Sequence, residues 1–304
     1  MKTFFIVNPK AGQGKKSEEL CRKIREVSPE SEIVFTKKKG DAGKIAKDIC
    51  KNLKGEEVRI YACGGDGTFC DTVNGVIGYE NVSVGVVPVG TGNDFLKNFG
   101  NEKVFKDLKA QLSGNVKKCD AIKITDESGK NLYCANMINI GFDCNVADKA
   151  ASLKKKPLIS GSGAYLLAIF AMLIKKKGAF LKIIVDGEEK KNGKLLLCAV
   201  SNGKYCGGGI KSNPDANIDD GMLDVNIVHN VSRRKFLTLL PFYAKGTYKK
   251  LKKIDSIINF LKCKNMRIEP LGGKMKICVD GEIFDTGSIN IEVIHKAYNF
   301  VVPK

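Results

Sequence analysis

The sequence predicts two domains: an α/β domain with an open, mainly parallel sheet, followed by a β-rich domain of the sandwich type. Near the start, apolar runs alternate with glycine-rich turns and helical patterns, as in open parallel α/β sheets. From about residue 120, short β-rich segments are separated by Asp-Gly turns. The 304 residues, 43% of them apolar, are enough for two cores. We therefore predict domains over 1–122 and 123–294, with the tail 295–304 able to pack back on the first.

Four short apolar runs of the first domain predict buried strands. The first three each precede a segment with apolar residues every three or four positions, as at Leu20, Ile24 and Val27, which is the period of an amphipathic helix. The four runs are Thr3–Val7, Glu32–Thr36, Val58–Cys63 and Val82–Val87. Because ligands of such sheets bind at the carboxyl ends of the strands, the turns after these runs are the first candidates for a binding site.

Short segments rich in β-forming residues dominate the rest of the chain. They lie at 119–125, 131–137, 182–185, 194–201, 223–228, 266–270, 276–279 and 289–293. Helical patterns interrupt them at 163–174 and 233–243. The apolar stretch Leu158–Ile174 is flanked by lysines. It is shorter than a typical membrane span and contains Ser-Gly-Ser-Gly, so we predict a buried or interfacial helix instead.

Charge and cysteine content limit the possible partners and surroundings. The formal net charge of +18 predicts an anionic partner, and no zinc finger or paired RNA-binding aromatics accompany the lysine runs, so we expect no nucleic acid. The eleven cysteines form no Cys-x-x-Cys pair and lack a histidine cluster, which argues against a zinc site. With no cleavable signal pattern at the start, we expect a reducing cytosol and mostly buried thiols.

Three turns carry the pattern of a phosphate-binding site. Gly64-Gly65-Asp66-Gly67-Thr68 lies between a strand and a helix, where backbone N–H groups and the helix N-terminus attract phosphate oxygens. Its aspartate suits a Mg²⁺ contact beside the phosphates, directly or through water. Asn8–Gly12 and Pro88–Phe95 end two further strands of the same sheet. Three such turns at one sheet edge predict a nucleoside triphosphate site, and the missing Walker pattern excludes a P-loop protein.

The turn Asp280-Gly281-Glu282 has two interpretations. Asp-Gly is typical of a two-residue hairpin turn, and the residues alone favour that structural role. A carboxylate close to an acceptor hydroxyl can also take its proton during attack on a phosphoryl group. If the turn faces the phosphate site of the first domain, either carboxylate could act as this base.

Taken together, these motifs resemble the diacylglycerol kinase type of lipid kinase, which includes bacterial members and the sphingosine kinases. The resemblance covers nearly the whole chain in the expected order and implies an NAD kinase/diacylglycerol kinase-like fold. Its motifs are Asn8-Pro9 with Gly12, Gly64–Thr68, Pro88–Phe95, Asn139–Asp143, Ile218–Val225 and Asp280–Glu282. The Gly-Gly-Asp-Gly-Thr motif alone is weak evidence, because NAD kinases carry it and phosphofructokinases carry a close form.

The resemblance implies ATP as the phosphate donor and Mg²⁺ as its partner, with Asp66 and Asp94 helping to hold the catalytic ion through water. The ATP-contact positions are Asn8, Pro9, Lys10, Ala11, Gly12, Thr36, Gly65, Asp66, Gly67, Thr68, Phe69, Cys70, Asp71, Thr91, Asn93 and Asp94. The chain departs from the bacterial pattern at Cys70-Asp71, where Asn-Glu is usual. Asp71 keeps the charge on a shorter side chain.

Two further roles in the second domain follow from the resemblance alone. A structural Mg²⁺ is implied on the carboxylate of Asp220 and the backbone carbonyls of Asn217 and Met222. The general base is implied in the turn that contains Asp280 and Glu282, and of the two we favour Glu282.

We predict an ATP-dependent lipid kinase that acts on a lipid hydroxyl at the membrane surface, with diacylglycerol as acceptor and phosphatidic acid as product. The lysine excess would attract an anionic leaflet, so we expect a cytoplasmic, peripherally bound protein, with a homodimer as one option. One alternative is a soluble NAD kinase-like or sugar kinase that shares the Gly-Gly-Asp-Gly-Thr turn. The other is a binding protein without activity, against which stand the intact Asp66, Asp94, Asp220 and Glu282.

Overall fold

The computed structural model describes residues 1–13, 17–90, 92–153, 168–169, 171–172 and 178–304. The chain forms two compact units. The first consists of residues 1–121 and 295–304, and the second of residues 122–294.

The first unit contains a parallel sheet, as the sequence predicts. Its strands in chain order are β1 (Lys2–Val7), β2 (Glu32–Phe35), β3 (Val58–Gly64) and β4 (Val82–Pro88). They pair in the order β2-β1-β3-β4, all parallel. The end of the last strand, β16 (Ile289–Val302), adds a parallel pair beside β4, with Phe300 opposite Val84. The carboxyl ends of β1, β3 and β4 therefore meet at one edge.

Helices connect these strands and close the core. They are α1 (Ser17–Val27), α2 (Asp41–Asn52), α3 (Asp66–Val76) and α4 (Leu108–Leu112), with 3-10 turns at Ala11–Gln13, Phe95–Phe99 and Glu102–Lys106. The ring of Phe300 lies 5.1 Å from Phe95, 4.9 Å from Phe99 and 5.6 Å from Phe69, measured between centroids. Residues 295–304 therefore form part of the aromatic core of this unit.

The second unit is the predicted β-sandwich. One antiparallel sheet has the order β12-β11-β10-β7-β14-β15, and the other strands pair around β8, β13 and β16. Strand β5 (Asn115–Asp126) begins in the first unit and ends in the second. The strands that follow it are β6 (Asn131–Cys134), β7 (Met137–Gly141), β8 (Ala179–Val185), β9 (Glu188–Leu195), β10 (Leu197–Ser201), β11 (Leu223–Val228), β12 (Ile258–Cys263), β13 (Asn265–Pro270), β14 (Met275–Val279) and β15 (Glu282–Thr286). Side chains from both sheets, such as Ile138, Ile183 and Ile268, form one buried apolar cluster.

In this unit one strand prediction was wrong in detail and two strands were missed. The predicted segment 194–201 is two strands in different sheets, because the chain leaves β9 at Leu195 and begins β10 at Leu197. Strands β12 and β15 were not predicted. β12 has the mixed sequence INFLKC, in which the outward polar residues do not alternate cleanly with apolar ones.

Two helices cover part of the second unit, α5 (Phe142–Leu153) and α6 (Arg233–Ala244). Short 3-10 turns follow at Tyr248–Lys250 and Ile254–Ser256. Most of the helix predicted over 158–174 lies outside the described residues, although Ala168 and Ile169 are helical and buried. Within the described ranges, no helix combines the length and apolar composition needed to cross a bilayer. Ten of the eleven cysteines are buried, as predicted.

Candidate active site

The turn between β3 and α3 leaves a helix N-terminus open. Gly65 precedes α3 in an extended conformation, and no side chain caps the helix there. Gly64 must be glycine, because a Cβ at this position would lie 2.3 Å from the Thr68 hydroxyl oxygen. The first-turn N–H groups of an uncapped eleven-residue helix, with their partial positive charge, suit phosphate oxygens.

The turn after β4 packs directly on this first turn. The Gly90 N–H donates to the Gly64 carbonyl over 3.1 Å. A Cβ on Gly90 would lie 2.8 Å from the Cα of Gly65, and one on Gly92 would lie 2.8 Å from a carboxylate oxygen of Asp66. The two turns are therefore in contact. A larger residue in place of Gly90 would require a shift of the backbone, whereas one in place of Gly92 would require the Asp66 side chain to move.

The turn after β1 joins the same group through Asn8. Its amide nitrogen donates to the Thr68 hydroxyl over 3.2 Å, and its amide oxygen accepts the Lys10 N–H at 3.0 Å. The backbone carbonyl of Asn8 also accepts the Ala11 N–H, which closes the turn around Pro9. The structure thus brings all three predicted turns together.

Two other predicted ATP-contact residues support a neighbouring loop. Thr36 follows β2 and is buried, and its N–H donates to the Val7 carbonyl at 3.0 Å. The Asp71 carboxylate accepts the Gly40 N–H over 2.9 Å, so it anchors the segment that leads into α2. The shorter aspartate in place of the usual glutamate therefore has a structural partner in this chain.

The predicted ATP contacts also include side chains that the fold buries away from a ligand. The ring of Phe69 lies 4.7 Å from that of Phe95 in the aromatic core, and Cys70 is buried as well. The side chains of both residues therefore face the interior of the first unit. Thr91 lies outside the described residues.

Asn93 and Asp94 end the turn after β4 in different environments. Asn93 has a left-handed backbone (φ 47°) and donates to the Gly90 carbonyl over 3.0 Å. Its amide oxygen is buried and has no hydrogen-bond partner within the described part of the chain. The buried Asp94 carboxylate lies 2.6 Å from the Lys97 ammonium. Asn93 is therefore an acceptor suited to a donor group of a bound ligand.

Magnesium-bound ATP fits this set of residues. The glycine contacts leave the backbone accessible at the start of α3, and the side chain of Asp66 lies against Gly92 in the adjoining turn. A carboxylate at this point is the kind of ligand that Mg²⁺ takes beside phosphates.

In the second unit, Asp280 and Gly281 form a two-residue hairpin between β14 and β15. Both have positive φ, 46° and 89°, and Val279 lies opposite Glu282 in the ladder. These are the backbone angles of a type I′ turn, so the predicted hairpin is confirmed.

The Asp280 carboxylate holds the loop between β6 and β7. It accepts backbone N–H groups from Ala135 (2.7 Å), Asn136 (3.1 Å) and Met137 (2.9 Å). Both carboxylate oxygens take part. Glu282, the next acidic residue, is half-buried at the start of β15.

Asn136 is a polar residue of this region that the sequence analysis did not single out. Its amide nitrogen donates to the Tyr205 carbonyl over 2.7 Å. Its amide oxygen is buried and without a hydrogen-bond partner among the residues that the structure describes. No local motif marks Asn136, because its place beside Asp280 depends on pairing between distant strands.

At the predicted structural magnesium site, the Asp220 carboxylate is bound by groups of the protein itself. One oxygen of Asp220 accepts the Met222 N–H at 3.1 Å, and the other lies 2.8 Å from the Lys262 ammonium. Asn217 lies in an exposed part of the same loop. Both Asp220 oxygens therefore already have partners in the protein, and a lysine ammonium lies where the implied ion would bind.

Comparison with known proteins assigns both units to one family. Residues 2–124 match the model of the diacylglycerol kinase catalytic domain, and residues 136–302 match the YegS C-terminal NAD kinase β-sandwich-like domain. A diacylglycerol kinase of Mycobacterium tuberculosis is 26% identical over 81% of this chain and 77% of its own length. A diacylglycerol kinase of Bacillus subtilis is 27% identical over 91% of this chain and 88% of its own length.

Solved structures agree with the fold. A structure from Bacillus anthracis has a TM-score of 0.74 and 25% identity, and covers 99% of this chain and 96% of its own. A diacylglycerol kinase structure from the same organism has a TM-score of 0.69 at 23% identity, with the same coverage. Both family models and these relatives show that this chain belongs to the diacylglycerol kinase-type family of lipid kinases.

Proposed function

We propose that the protein transfers the γ-phosphate of ATP to a lipid hydroxyl, with diacylglycerol as the acceptor and phosphatidic acid as the product. The observation that carries this proposal is the contact between the turns after β1, β3 and β4 at an open helix N-terminus. The relatives named diacylglycerol kinase support the choice of acceptor.

In this proposal the first unit binds and orients ATP. The first-turn N–H groups of α3 hold phosphate oxygens, and the amide oxygen of Asn93 accepts a donor of the nucleotide. Asp66 and Asp94 would help to hold, through water, the Mg²⁺ that accompanies ATP, and this ion would neutralise charge on the transferring phosphoryl group.

Glu282 is the proposed general base. Asp280 is a poorer candidate, because protonation of its carboxylate would weaken three hydrogen bonds to backbone N–H groups. As the acceptor oxygen forms its bond to the γ-phosphorus, Glu282 takes the hydroxyl proton, and the bond from that phosphorus to the β–γ bridging oxygen breaks to release ADP.

We also propose that helix α6 meets an anionic bilayer. Leu237 and Phe242, two large apolar side chains of this helix, are 43% and 40% exposed. Exposed Arg233, Arg234 and Lys235 form its first turn. Each cation near an anionic leaflet contributes about 1 kcal/mol of attraction, and inserted apolar side chains add to it.

The acceptor is tested with radiolabelled ATP and Mg²⁺ against mixed micelles of diacylglycerol, monoacylglycerol, phosphatidylglycerol and sphingosine, with NAD and sugar phosphates in parallel. Gly90→Ala tests the nucleotide site, since its Cβ would meet the Gly65 backbone. Gly272→Ala is the matched control, because a Cβ there meets nothing within 4 Å. We expect labelled lipid with wild type and Gly272→Ala, and roughly a 100-fold loss with Gly90→Ala. Label in NAD or a sugar phosphate, and none in lipid, would contradict the proposal.

The membrane contact is tested by sedimentation with phosphatidylglycerol vesicles and with neutral phosphatidylcholine vesicles. The double variant Leu237→Ser/Phe242→Ser should lose binding to the anionic vesicles. Phe35→Ser, which alters an exposed phenylalanine of the first unit, should keep it. Equal binding by both variants would refute a role for α6.

A further inference from the structure

Lys262 occupies the position of a cation between two carboxylates of the second unit. It lies on β12 directly opposite Asp224 of β11 in the antiparallel register. Its ammonium nitrogen is 3.2 Å from an Asp224 oxygen and 2.8 Å from an Asp220 oxygen. The sheet pairing therefore places one lysine between a strand residue and a loop residue.

The two carboxylates need a cation at this point. Asp224 is only 7% exposed, and burial raises the pKa of its carboxyl group while the Lys262 ammonium opposes that effect. A buried carboxylate without a partner is costly, so a positive charge here stabilises the folded state. Lys262 supplies that charge and also ties the loop that contains Asp220 to β12.

A divalent ion would compete with this lysine for the same oxygen. Magnesium binds carboxylate oxygens at about 2.1 Å and demands near-octahedral geometry. The Asp220 oxygen nearest Lys262 is already 2.8 Å from the ammonium, and the other oxygen accepts the Met222 N–H. An ion bound to that oxygen would therefore have to displace Lys262 from Asp220.

We propose that Lys262 takes the place of the structural magnesium ion, so that the loop around Asp220 is held by the protein's own ammonium group. The loop then needs no divalent cation. This role is separate from the Mg²⁺ that accompanies ATP in the first unit, and it does not depend on the identity of the lipid acceptor.

The test is thermal unfolding of the nucleotide-free protein in EDTA and in millimolar Mg²⁺. The wild-type melting temperature should be equal in both. Lys262→Gln should melt roughly 3–6 °C lower in EDTA and recover part of that loss in Mg²⁺, because Asp220 and Asp224 are then open to the ion. Lys276→Gln is the matched control, since it also removes a strand lysine paired with a carboxylate, Asp148, 2.7 Å away. It should not respond to Mg²⁺.

Two further variants keep the test decisive if Lys262→Gln does not fold. Lys262→Arg retains the positive charge and should stay indifferent to Mg²⁺. Asp220→Asn leaves the Asp224 pair intact and should melt slightly lower in both buffers by the same amount. A wild-type protein that Mg²⁺ stabilises, with the effect abolished in Asp220→Asn, would overturn the proposal. Because no activity is measured, this result is independent of the lipid kinase assay.

Discussion

The second unit contains two hairpins with the same Val-Asp-Gly-Glu sequence. In the β8–β9 hairpin, Asp186 and Gly187 have φ of 46° and 86°, and in the β14–β15 hairpin Asp280 and Gly281 have 46° and 89°. Each aspartate N–H donates to a carbonyl at the start of another strand, of Asn265 or of Met137. Local sequence therefore produces the same turn twice.

The surroundings of the two glutamates differ. Glu188 has a side chain that is 75% exposed and paired with Lys190, which lowers the pKa of its carboxyl group. Glu282 is half-buried at the start of β15. The Asp-Gly pair therefore makes a hairpin at both positions, whereas a catalytic role depends on where the fold places the next residue.

The largest expected difference is between Glu282→Gln and Glu188→Gln. Loss of a general base lowers kcat by roughly 10²–10⁴-fold, so Glu282→Gln should show that loss with a normal melting temperature. Glu188→Gln removes only an exposed charge and should keep full activity. The measurement is kcat for lipid phosphorylation in mixed micelles. Equal activity of the two variants would show that Glu282 has no catalytic role that Glu188 lacks.

Substitution of the two aspartates should lower the stability of the protein by different amounts. Asp280 uses both carboxylate oxygens for three N–H donors, whereas Asp186 uses one oxygen for the N–H groups of Lys264 and Asn265. An asparagine can keep one acceptor oxygen but not two. Asp280→Asn should therefore lower the free energy of unfolding by about 1–3 kcal/mol, and Asp186→Asn by clearly less. Urea denaturation measures both, and a larger loss for Asp186→Asn would contradict this reading of the contacts.

Asp143 lies in a third kind of environment, where burial affects the pKa of the carboxyl group more than its hydrogen-bond partner does. Burial raises the pKa of its carboxyl group from 3.8 to about 6, although the Tyr243 hydroxyl lies 3.4 Å away. Between these pH values the folded protein binds more protons than the unfolded chain, so stability contributed by Asp143 falls as pH rises from about 4 to about 6.

Asparagine at this position does not titrate. Relative to wild type, Asp143→Asn should therefore gain about 1–2 kcal/mol of stability between pH 4 and pH 7. Urea denaturation at both pH values measures that change. If the difference in free energy of unfolding between the two proteins stays constant with pH, Asp143 does not have a raised pKa in the folded protein.

Sequence alone predicted the elements that local patterns determine. The parallel sheet, the three glycine-containing turns and the hairpin at Asp280 follow from runs of neighbouring residues. The partners of the acidic residues do not, because Asn136 is 144 positions from Asp280 and Lys262 is 38 positions from Asp224. Strand register decides those pairs, and no local pattern encodes it.

Phe69 illustrates a second reason why the sequence predicts some contacts of the site correctly and others not. The Gly-Gly-Asp-Gly-Thr-Phe motif runs from a turn into α3, and a helix presents its successive residues to different sides. Thr68 contacts Asn8 at the turn, whereas the next residue enters the aromatic core. A motif therefore identifies a segment of the chain, but it does not show which side chains of that segment can reach a ligand.

The pH–rate profile of lipid phosphorylation tests the central claim, that Glu282 and not Asp280 accepts the proton. For wild type we expect the rate to fall tenfold per pH unit once the base becomes protonated. Glu282→Gln should be slow and flat over the same acidic range, while Asp280→Asn, measured below its melting temperature, should keep the wild-type shape. A profile in which Glu282→Gln retains the acidic limb and Asp280→Asn loses it would contradict the assignment.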